Sequence, residues 1–258
     1  MYSCNLTNYN NNLSFGKREK LPIYVMEKVS NSFMNEVHTG VKEYPIALFS
    51  KIQKTGLDQI RLASKASNSV PDIPELQNIF KNELVPGSRN THDEIANGEA
   101  VIGTSKDGKK YNFLGLFESP LCLSIKANKG SVGHELTHKA DSLLKSIIGI
   151  DISSIKGFKA VVSMDLCKLS ERKNLYPQIY NQYNNKYNPK MIDYIMQKST
   201  PENLNEAGLR EIFAECGASL TTGSQNENHI KVKSEFMKTF FPKSYEYVQK
   251  YLYLMGMR

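Results

Sequence analysis

One stretch near the middle of the chain decides which fold to expect, and it reads Gly133-His134-Glu135-Leu136-Thr137-His138-Lys139-Ala140-Asp141. Two histidines lie four residues apart in it, and a glutamate follows the first of them. Residues at this spacing lie on the same face of an α-helix, about one turn from each other. Both imidazoles can therefore reach a single metal ion, while the Glu135 carboxylate can take a proton from a water molecule rather than bind the metal.

This spacing is the HExxH pattern, which is typical of zinc peptidases. The alternative is a surface helix that carries two histidines and a glutamate by chance. The helix is expected to begin at Ser131, whose side chain can act as an N-cap, and to continue to Gly149. Its apolar residues share one face that should turn toward the core: Leu136, Ala140, Leu143, Leu144 and Ile147.

Three runs upstream of the motif have the pattern of β-strands, at residues 100–103, 110–118 and 121–126. The turn at residues 105–108 is expected to join the first two as a hairpin. The third run alternates apolar and other side chains, which indicates an edge strand with one apolar face. An edge strand directly before the HExxH helix can bind an extended peptide through main-chain hydrogen bonds. We therefore predict that its apolar residues bind substrate: Leu121, Leu123 and Ile125.

The rest of the chain has mainly helical periodicity. Helices are expected at residues 22–38 (with Gly40 as a stop), 46–52, 75–84, 161–169, from 203–206 to 220, and at 235–254 with a break at Pro242. A short strand is expected at residues 60–64. Residues 88–99 are expected to form a polar loop in which His92 is solvated.

The composition is that of a soluble globular protein. Of the 258 residues, 40% are hydrophobic and 23% are charged, and no apolar run is long enough to cross a bilayer. The net charge of +7 comes from lysines and arginines spread along the chain, which favours a solvated surface over a nucleic-acid footprint. The cysteines form no CxxC pair, so we expect reduced, mostly buried thiols rather than a zinc knuckle, disulfides or a nucleophile: Cys4, Cys122, Cys167 and Cys216.

Two histidines leave a catalytic zinc site incomplete, because a third protein ligand is needed and the fourth position is left for water. The longer HExxHxxGxxH pattern would supply a histidine six residues after His138, but Leu144 is there. His229 lies in a polar segment rich in Gly, Ser and Asn, where a solvent-facing role is expected. The best source is the helical segment at residues 210–215, with Glu206 as the reserve choice.

Glu211 and Glu215 lie four residues apart in that segment, on a helix that is otherwise apolar. Two carboxylates on one face repel each other and are costly to bury without a cation. A metal ion and an imidazole N–H would compensate both. We therefore predict that Glu211 is the third ligand and that Glu215 accepts a hydrogen bond that orients a ligating histidine. The alternative is a solvated acidic stripe in which Glu206 and Arg210 pair at the surface.

These motifs resemble those of the anthrax lethal factor family of zinc peptidases, which includes the secreted Pro-Pro endopeptidases of clostridia. The residues that carry the resemblance are those at 134–141, Asn205-Glu206-Ala207 and Glu211-Ile212-Phe213-Ala214-Glu215. The family pairs a HExxHxxD helix with a later ExFAE-like helix whose first glutamate binds zinc. The resemblance covers residues 100–258 at most. It implies one Zn²⁺ ion held by His134, His138 and Glu211, with Glu135 as catalytic base and with Glu215 and Asp141 as supporting residues.

The resemblance also implies the fold and a further catalytic residue. The expected fold class is α+β: a zincin-like metalloprotease domain with a small mixed sheet, an edge strand before the HExxH helix and a mainly helical remainder. Thr137 replaces the glycine that is usual before the second histidine. The family carries an oxyanion-stabilising tyrosine shortly before the glutamate ligand, but none lies at residues 202–211 here. Tyr194 is the nearest upstream and is the predicted catalytic tyrosine, with Tyr187 and Tyr183 as alternatives.

The function that follows is a zinc metalloendopeptidase acting on a protein or peptide, with no nucleic-acid partner and no membrane span, and we expect a monomer. Residues 1–20 are expected to be a polar, flexible tail, and residues 21–258 a single catalytic domain with N-terminal helices and a motif-bearing core at 100–258. The family implies a bacterial toxin or effector that cleaves a host protein. Because the tail lacks the apolar region of a Sec-type signal peptide, we expect secretion or delivery into a host cell by another route. The alternative is a catalytically inactive zincin-fold module that binds a host protein.

Overall fold

Four short segments of the chain pair into one mixed β-sheet. The structure, a computed structural model, describes residues 23–85, 89–118, 129–184, 191–222 and 228–257. Its strands are β1 (Ile23–Val25), β2 (Gln59–Ala63), β3 (Gly98–Thr104) and β4 (Lys110–Phe117), in the order β1-β2-β4-β3. β1, β2 and β4 are parallel, and β3 runs antiparallel to β4 at one edge. The predicted strands at residues 60–64, 100–103 and 110–118, and the hairpin, are therefore confirmed.

Helices form most of the remaining described chain, which confirms the α+β class with a small mixed sheet and a mainly helical remainder. They are α1 (Asn31–Glu43), α2 (Ile46–Lys54), α3 (Pro74–Asn82), α4 (His92–Ile95), α5 (Lys129–Asp141), α6 (Lys145–Ile148), α7 (Lys156–Cys167), α8 (Leu169–Leu175), α9 (Pro177–Asn184), α10 (Met191–Met196), α11 (Glu206–Thr221), α12 (Asn228–Phe240) and α13 (Pro242–Leu254). Within the described ranges, no helix is both long enough and apolar enough to span a membrane.

The sheet separates two apolar layers, because successive residues of a strand point to opposite faces. Leu62 and Leu114 join the main core, whereas Ala63 and Phe113 face a smaller core that is covered by α3. The main core extends from the sheet through α1, α5 and α11 to α7, α12 and α13. Helix α5, which carries the HExxH pattern, therefore lies buried between the sheet and the helical part of the molecule.

The predicted helix at residues 22–38 is wrong in its first half. Ile23–Val25 form a strand because they pair in parallel with β2, with Val25 opposite Leu62. The helix begins only after Ser30, whose hydroxyl accepts a hydrogen bond from the Phe33 N–H at 3.2 Å. Gly40 does not stop it, because α1 packs against α5 at this glycine. A Cβ there would come within 2.9 Å of Lys129 Cα.

The HExxH helix begins earlier and ends earlier than predicted. It begins at Lys129, so Ser131 lies inside the first turn and is not the N-cap. It ends at Asp141, whose two carboxylate oxygens accept hydrogen bonds from the Ser153 N–H and hydroxyl at 2.7 and 2.6 Å. These bonds tie the end of α5 to a later turn and favour a break at this point.

The break gives the residues after α5 a different environment from the one that helical spacing predicts. Leu136, Ala140 and Leu143 are buried as expected, but Ile147 on the separate helix α6 is 78% exposed. Gly149 does end that helix, with a left-handed φ of 80° that glycine adopts without strain.

The polar segment at residues 88–99 is not wholly a loop, and the prediction of a solvated His92 is wrong. The segment contains α4 and the start of β3. The His92 side chain is 15% exposed, its Nδ1 contacts the Glu99 carboxylate, and its ring packs 5.2 Å from the ring of Phe80. The partner that buries it lies seven residues later, across the turn into β3.

Candidate metal centre

Two helices cross at a pair of glycines and thereby bring their polar side chains together. Gly217 of α11 faces Thr137 of α5, where a Cβ on residue 217 would come within 2.2 Å of Thr137 Cγ2. A Cβ on Gly133 would likewise come within 2.7 Å of the Thr222 hydroxyl. Because neither glycine has a side chain, the helices approach closely. Thr137, which stands where the lethal factor family carries glycine, is therefore accommodated by a glycine on the opposite helix.

The three predicted metal ligands converge on one point. His134 and His138 lie one turn apart on α5, and their Nε2 atoms are 3.1 Å apart. Glu211 of α11 places one oxygen 3.3 Å from His134 Nε2 and the other 3.6 Å from His138 Nε2. One ligand atom from each residue lies within 4.8 Å of the others. This cluster could hold a metal ion.

The electrostatics of the cluster favour a cation at its centre. Burial alone would lower the pKa of His134, but the carboxylates of Glu215 and Glu211 outweigh it and raise the pKa to about 10. Burial lowers the pKa of His138 to about 3, although Glu211 acts in the opposite direction. The pocket thus keeps one positive charge between its carboxylates, and a metal ion can supply that charge in place of a proton.

Glu215 lies behind His134, in the position predicted for it. One of its oxygens is 3.1 Å from His134 Nδ1, and the other is 2.8 Å from the Nζ atom of Lys233 on α12. Burial alone would raise the pKa of this carboxyl, but Lys233 and His134 lower it to about 2. An ionised Glu215 can accept a hydrogen bond from Nδ1–H, which leaves Nε2 of His134 to bind a metal.

Asp141, the second predicted supporting residue, acts at a different place. It is buried at the end of α5, and burial raises its pKa to about 6. Its two hydrogen bonds go to Ser153 and not to a ligating histidine. Its contacts therefore anchor the backbone that follows the ligand helix.

Glu135 lies on the sheet side of α5, beside the edge strand β3. The residue is 5% exposed, and Gly98 of β3 lies so near that a Cβ there would come within 2.8 Å of Glu135 Oε1. Burial raises the pKa of Glu135 to about 8. This buried carboxyl group thus lies one residue from the predicted ligand His134, where it could exchange protons with a neighbouring group.

Tyr194 lies near the same carboxylates. It belongs to α10, which packs against α11, and its ring packs at the border of the main core. The pKa of its phenol is raised well above the usual value, first by burial and then by the nearby carboxylates of Glu211 and Glu135. The hydroxyl therefore stays protonated near neutral pH and can donate a hydrogen bond toward the site.

The other candidates from the sequence lie elsewhere. Tyr183 is buried in the core, where its ring stacks on Phe236 at 4.2 Å. Glu206 is exposed at the start of α11 and pairs with Lys159 at 2.5 Å, so the structure brings Glu211, not Glu206, to the histidines. The remaining candidates lie outside the residues that the structure describes: Leu121, Leu123, Ile125, Tyr187 and the side chain of His229.

Two lysines beside the site were not found from the sequence. The buried Lys139 donates from Nζ to Val101 O of β3 at 2.8 Å and to Asn112 Oδ1 of β4 at 2.6 Å, which ties the ligand helix to the sheet. Lys233 is the ion-pair partner of Glu215. Both lysines stand at helical spacing among buried apolar residues, where lysine is rare unless paired. That position is the signal that could have identified them.

The two cysteines among the described residues differ in exposure. Cys216 is buried, and burial raises the pKa of its thiol, which makes it inert. Cys167 is exposed at the end of α7, contrary to the expectation of mostly buried thiols, because its position on the helix faces away from the core. Cys4 and Cys122 lie outside the described residues.

The fold of this chain was compared with those of solved structures. It is similar to the Pro-Pro endopeptidase from Paenibacillus alvei, with a TM-score of 0.47 and 18% sequence identity, over 88% of this chain and 96% of that chain. No protein-family model matches the sequence, and no curated protein matches it. Chains with this degree of similarity can differ in activity and substrate, so function has to be argued from the site residues themselves.

Proposed function

We propose that the protein is a zinc-dependent endopeptidase. The observation that carries the proposal is the convergence of His134, His138 and Glu211 on one point. Glu135 follows the first of these ligands and lies against Gly98 of the edge strand. A hydrolytic zinc site consists of three protein ligands, a fourth position for water and a neighbouring carboxylate, and these residues would supply the ligands and the carboxylate.

The chemistry of the ligand atoms, two imidazole nitrogens and a carboxylate oxygen, supports zinc as the metal. Zinc binds imidazole nitrogen and carboxylate oxygen at about 2.0–2.2 Å, so two ligand atoms of a tetrahedral site lie about 3.3–3.6 Å apart. Here the two imidazole Nε2 atoms lie 3.1 Å apart, His134 Nε2 lies 3.3 Å from one oxygen of Glu211, and His138 Nε2 lies 3.6 Å from the other oxygen. Mg²⁺ and Ca²⁺ prefer about six or more oxygen ligands, which a site with two imidazoles does not provide.

The chain's own residues can carry out the proton transfers of peptide hydrolysis. A zinc ion held by His134, His138 and Glu211 would lower the pKa of a water molecule and polarise a peptide carbonyl. Glu135 takes the proton of the attacking water and returns it to the leaving amine, a role for which its buried position beside His134 is suited. The Tyr194 hydroxyl donates a hydrogen bond to the carbonyl oxygen as negative charge develops on it.

Strand β3 lies beside this site, and its outer backbone edge could pair with an extended substrate. The Phe117 N–H of β4 donates to Asn97 O on the β3 side, so alternate residues of β4 face β3. In the observed register, three residues of β3 then direct their backbone groups away from β4: Gly98, Ala100 and Ile102. No strand among the described residues pairs with that edge. We therefore propose β3 as a substrate-binding strand; the strand predicted at residues 121–126 lies outside the described residues.

The experiment that tests the proposal compares the wild type with Glu135→Gln. Both proteins should bind one zinc ion per chain by elemental analysis, because Glu135 is not a ligand. Hydrolysis of a peptide library should fall by about 10²–10⁴-fold in Glu135→Gln, because the proton acceptor is lost. The matched control is Glu246→Gln on the surface of α13, which should change neither property. Undiminished hydrolysis by zinc-loaded Glu135→Gln contradicts the proposal, and zinc binding without hydrolysis by the wild type favours an inactive module that binds a partner protein.

We further propose that the substrate is a host protein and that the chain acts as a toxin or effector. The support for this extension is the resemblance of the two motifs to those of the lethal factor family. N-terminomics of candidate host lysates, treated with wild type or with Glu135→Gln, should reveal new N-termini only with the wild type. If no new N-termini appear in host lysate although the wild type cleaves other protein mixtures, a host protein is not the substrate.

A further inference from the structure

Helix α12 carries a lysine on its buried face. Phe236, Met237 and Phe240 are fully buried and follow Lys233 at the i+3, i+4 and i+7 positions, so all four share one face. The Lys233 side chain is only 16% exposed, whereas Lys231 on the same helix is exposed. An ammonium group at such a position is costly unless it meets a partner.

The partner of Lys233 is the carboxylate behind the first metal ligand. Lys233 Nζ lies 2.8 Å from one oxygen of Glu215, and the other oxygen lies 3.1 Å from His134 Nδ1. Glu215 is only 1% exposed, so neither contact is replaced by bulk water. Three helices thus contribute one group each to a continuous chain: Lys233 of α12, Glu215 of α11 and His134 of α5.

The arrangement links the orientation of the lysine to that of the histidine. A carboxylate is planar, so an ion pair at one oxygen also fixes the direction in which the other oxygen points. Without Lys233, the outer oxygen of Glu215 would be buried against no compensating charge, and the carboxylate would rotate toward another donor. The hydrogen bond at His134 Nδ1, which selects Nε2 for the metal, would then be weakened.

We propose that Lys233 is a positioning residue of the metal site. It acts through Glu215, which it holds in the orientation that accepts the His134 Nδ1–H. The inference rests on the proposed function in that the site binds zinc. It adds that α12, which provides no ligand, contributes to zinc affinity.

Zinc affinity, measured by competition with a chromophoric chelator, tests the proposal without a substrate. We expect Lys233→Met to weaken zinc binding by about tenfold and Glu215→Gln by about 10–100-fold. Lys233→Arg, which keeps the charge, should stay within about threefold of the wild type. The matched control is Lys231→Met, on the exposed face of the same helix, which should stay within about twofold. In the Glu215→Gln background, Lys233→Met should have less than a twofold further effect, because its path to the metal is already broken.

The outcomes separate this proposal from the proposed function. If the wild type and His138→Ala bind zinc with equal affinity, the proposed metal site is wrong and both proposals fail. If His138→Ala weakens zinc binding but Lys233→Met and Lys231→Met bind zinc with equal affinity, only the role of Lys233 is overturned. The same conclusion follows if Lys233→Met weakens binding equally with and without Glu215→Gln, since the lysine then does not act through that residue. Circular dichroism of the metal-free proteins establishes folding, and Lys233→Gln replaces Lys233→Met if the latter does not fold.

Discussion

Tyr194, like Lys233, comes from neither of the two helices that carry the proposed ligands. Its helix α10 packs on α11, and the carboxylates of Glu211 and Glu135 raise its pKa in addition to burial. The turn that follows contains Gln197 and Lys198, both with positive φ (48° and 64°). Such backbone is strained in residues other than glycine and persists where the surroundings impose it. The Tyr194 ring itself packs against the main core, beside α11.

We predict that Tyr194→Phe lowers kcat by about 10²–10³-fold, because it removes one hydrogen-bond donor to the developing oxyanion. Zinc content and KM should change little, since the ring and the ligands remain. Steady-state kinetics on a cleaved peptide, together with elemental analysis, measures both effects. Tyr253→Phe is the control, since Tyr253 is 66% exposed on α13. An unchanged kcat in Tyr194→Phe would exclude the proposed role.

The contact between α5 and α11 sets the distance from the histidines to Glu211. We predict that Gly217→Ala lowers the free energy of unfolding of the metal-free protein by about 1–3 kcal/mol, because the new methyl group overlaps Thr137. It should also weaken zinc binding, because the added methyl group would push α11, and Glu211 with it, away from α5. Urea denaturation and chelator competition measure the two effects.

A matched helical glycine and a compensating change test this explanation. Gly157→Ala on α7 should leave stability unchanged or raise it by up to about 1 kcal/mol, because the new methyl would meet only the end of the Tyr247 side chain at 3.3 Å. Thr137→Ala combined with Gly217→Ala should recover part of the lost stability, because the overlapping atoms are removed. No recovery in the double variant would argue against the close contact.

The pair of His92 in α4 and Glu99 in β3 predicts a pH dependence of stability. Burial alone would lower the pKa of His92, but the hydrogen bond and charge of Glu99 outweigh it and raise the pKa above 6.5. The folded state therefore binds the His92 proton more tightly than the unfolded state does. The resulting stabilisation is complete below about pH 6.5 and is lost as the pH rises through the folded-state pKa.

We therefore expect urea midpoints of the wild type to fall between about pH 6 and pH 9 by more than those of His92→Gln, which cannot gain or lose this proton. Chelator is added throughout, so that metal binding does not contribute. The difference between the two proteins isolates His92 from other groups that titrate in the same range. Parallel pH profiles would show that the pair contributes nothing to stability.

At the scale of the whole molecule, the ligands come from two helices that are distant in sequence but adjacent in the core. Zinc held by the proposed ligands would join these helices only in the native state, so its binding would add to global stability. At free zinc about 1,000 times Kd the gain is about 4 kcal/mol, which corresponds to roughly 8–16 °C in Tm for a chain of this size. Chelation should reverse this gain in the wild type and have little effect in His138→Ala. Calorimetry with and without chelator measures it, and an equal effect in both proteins would place the metal elsewhere.

The sequence was most informative where a local pattern has only one stable structure. The segments at residues 60–64, 100–103 and 110–118 pair as strands, α11 begins at Glu206 within the predicted start, and Pro242 separates α12 from α13. It misled where a long-range partner overrides local preference. Val25 has helical spacing but pairs with β2, Gly40 continues its helix because α5 packs on it, and Ile147 turns outward after the break at Asp141.

The chemistry of the candidate site could be read from the sequence because each half of it lies within one helical turn. His134 and His138 share a face through their spacing, as do Glu211 and Glu215, and burying the two carboxylates calls for a compensating charge. The tertiary structure alone decided how the halves meet. The Gly217–Thr137 contact sets their distance, Gly98 brings the sheet edge to Glu135, and Lys233 approaches from a third helix. Spacing along a helix is a local property, whereas the approach of two helices depends on side-chain volumes that are brought together only by folding.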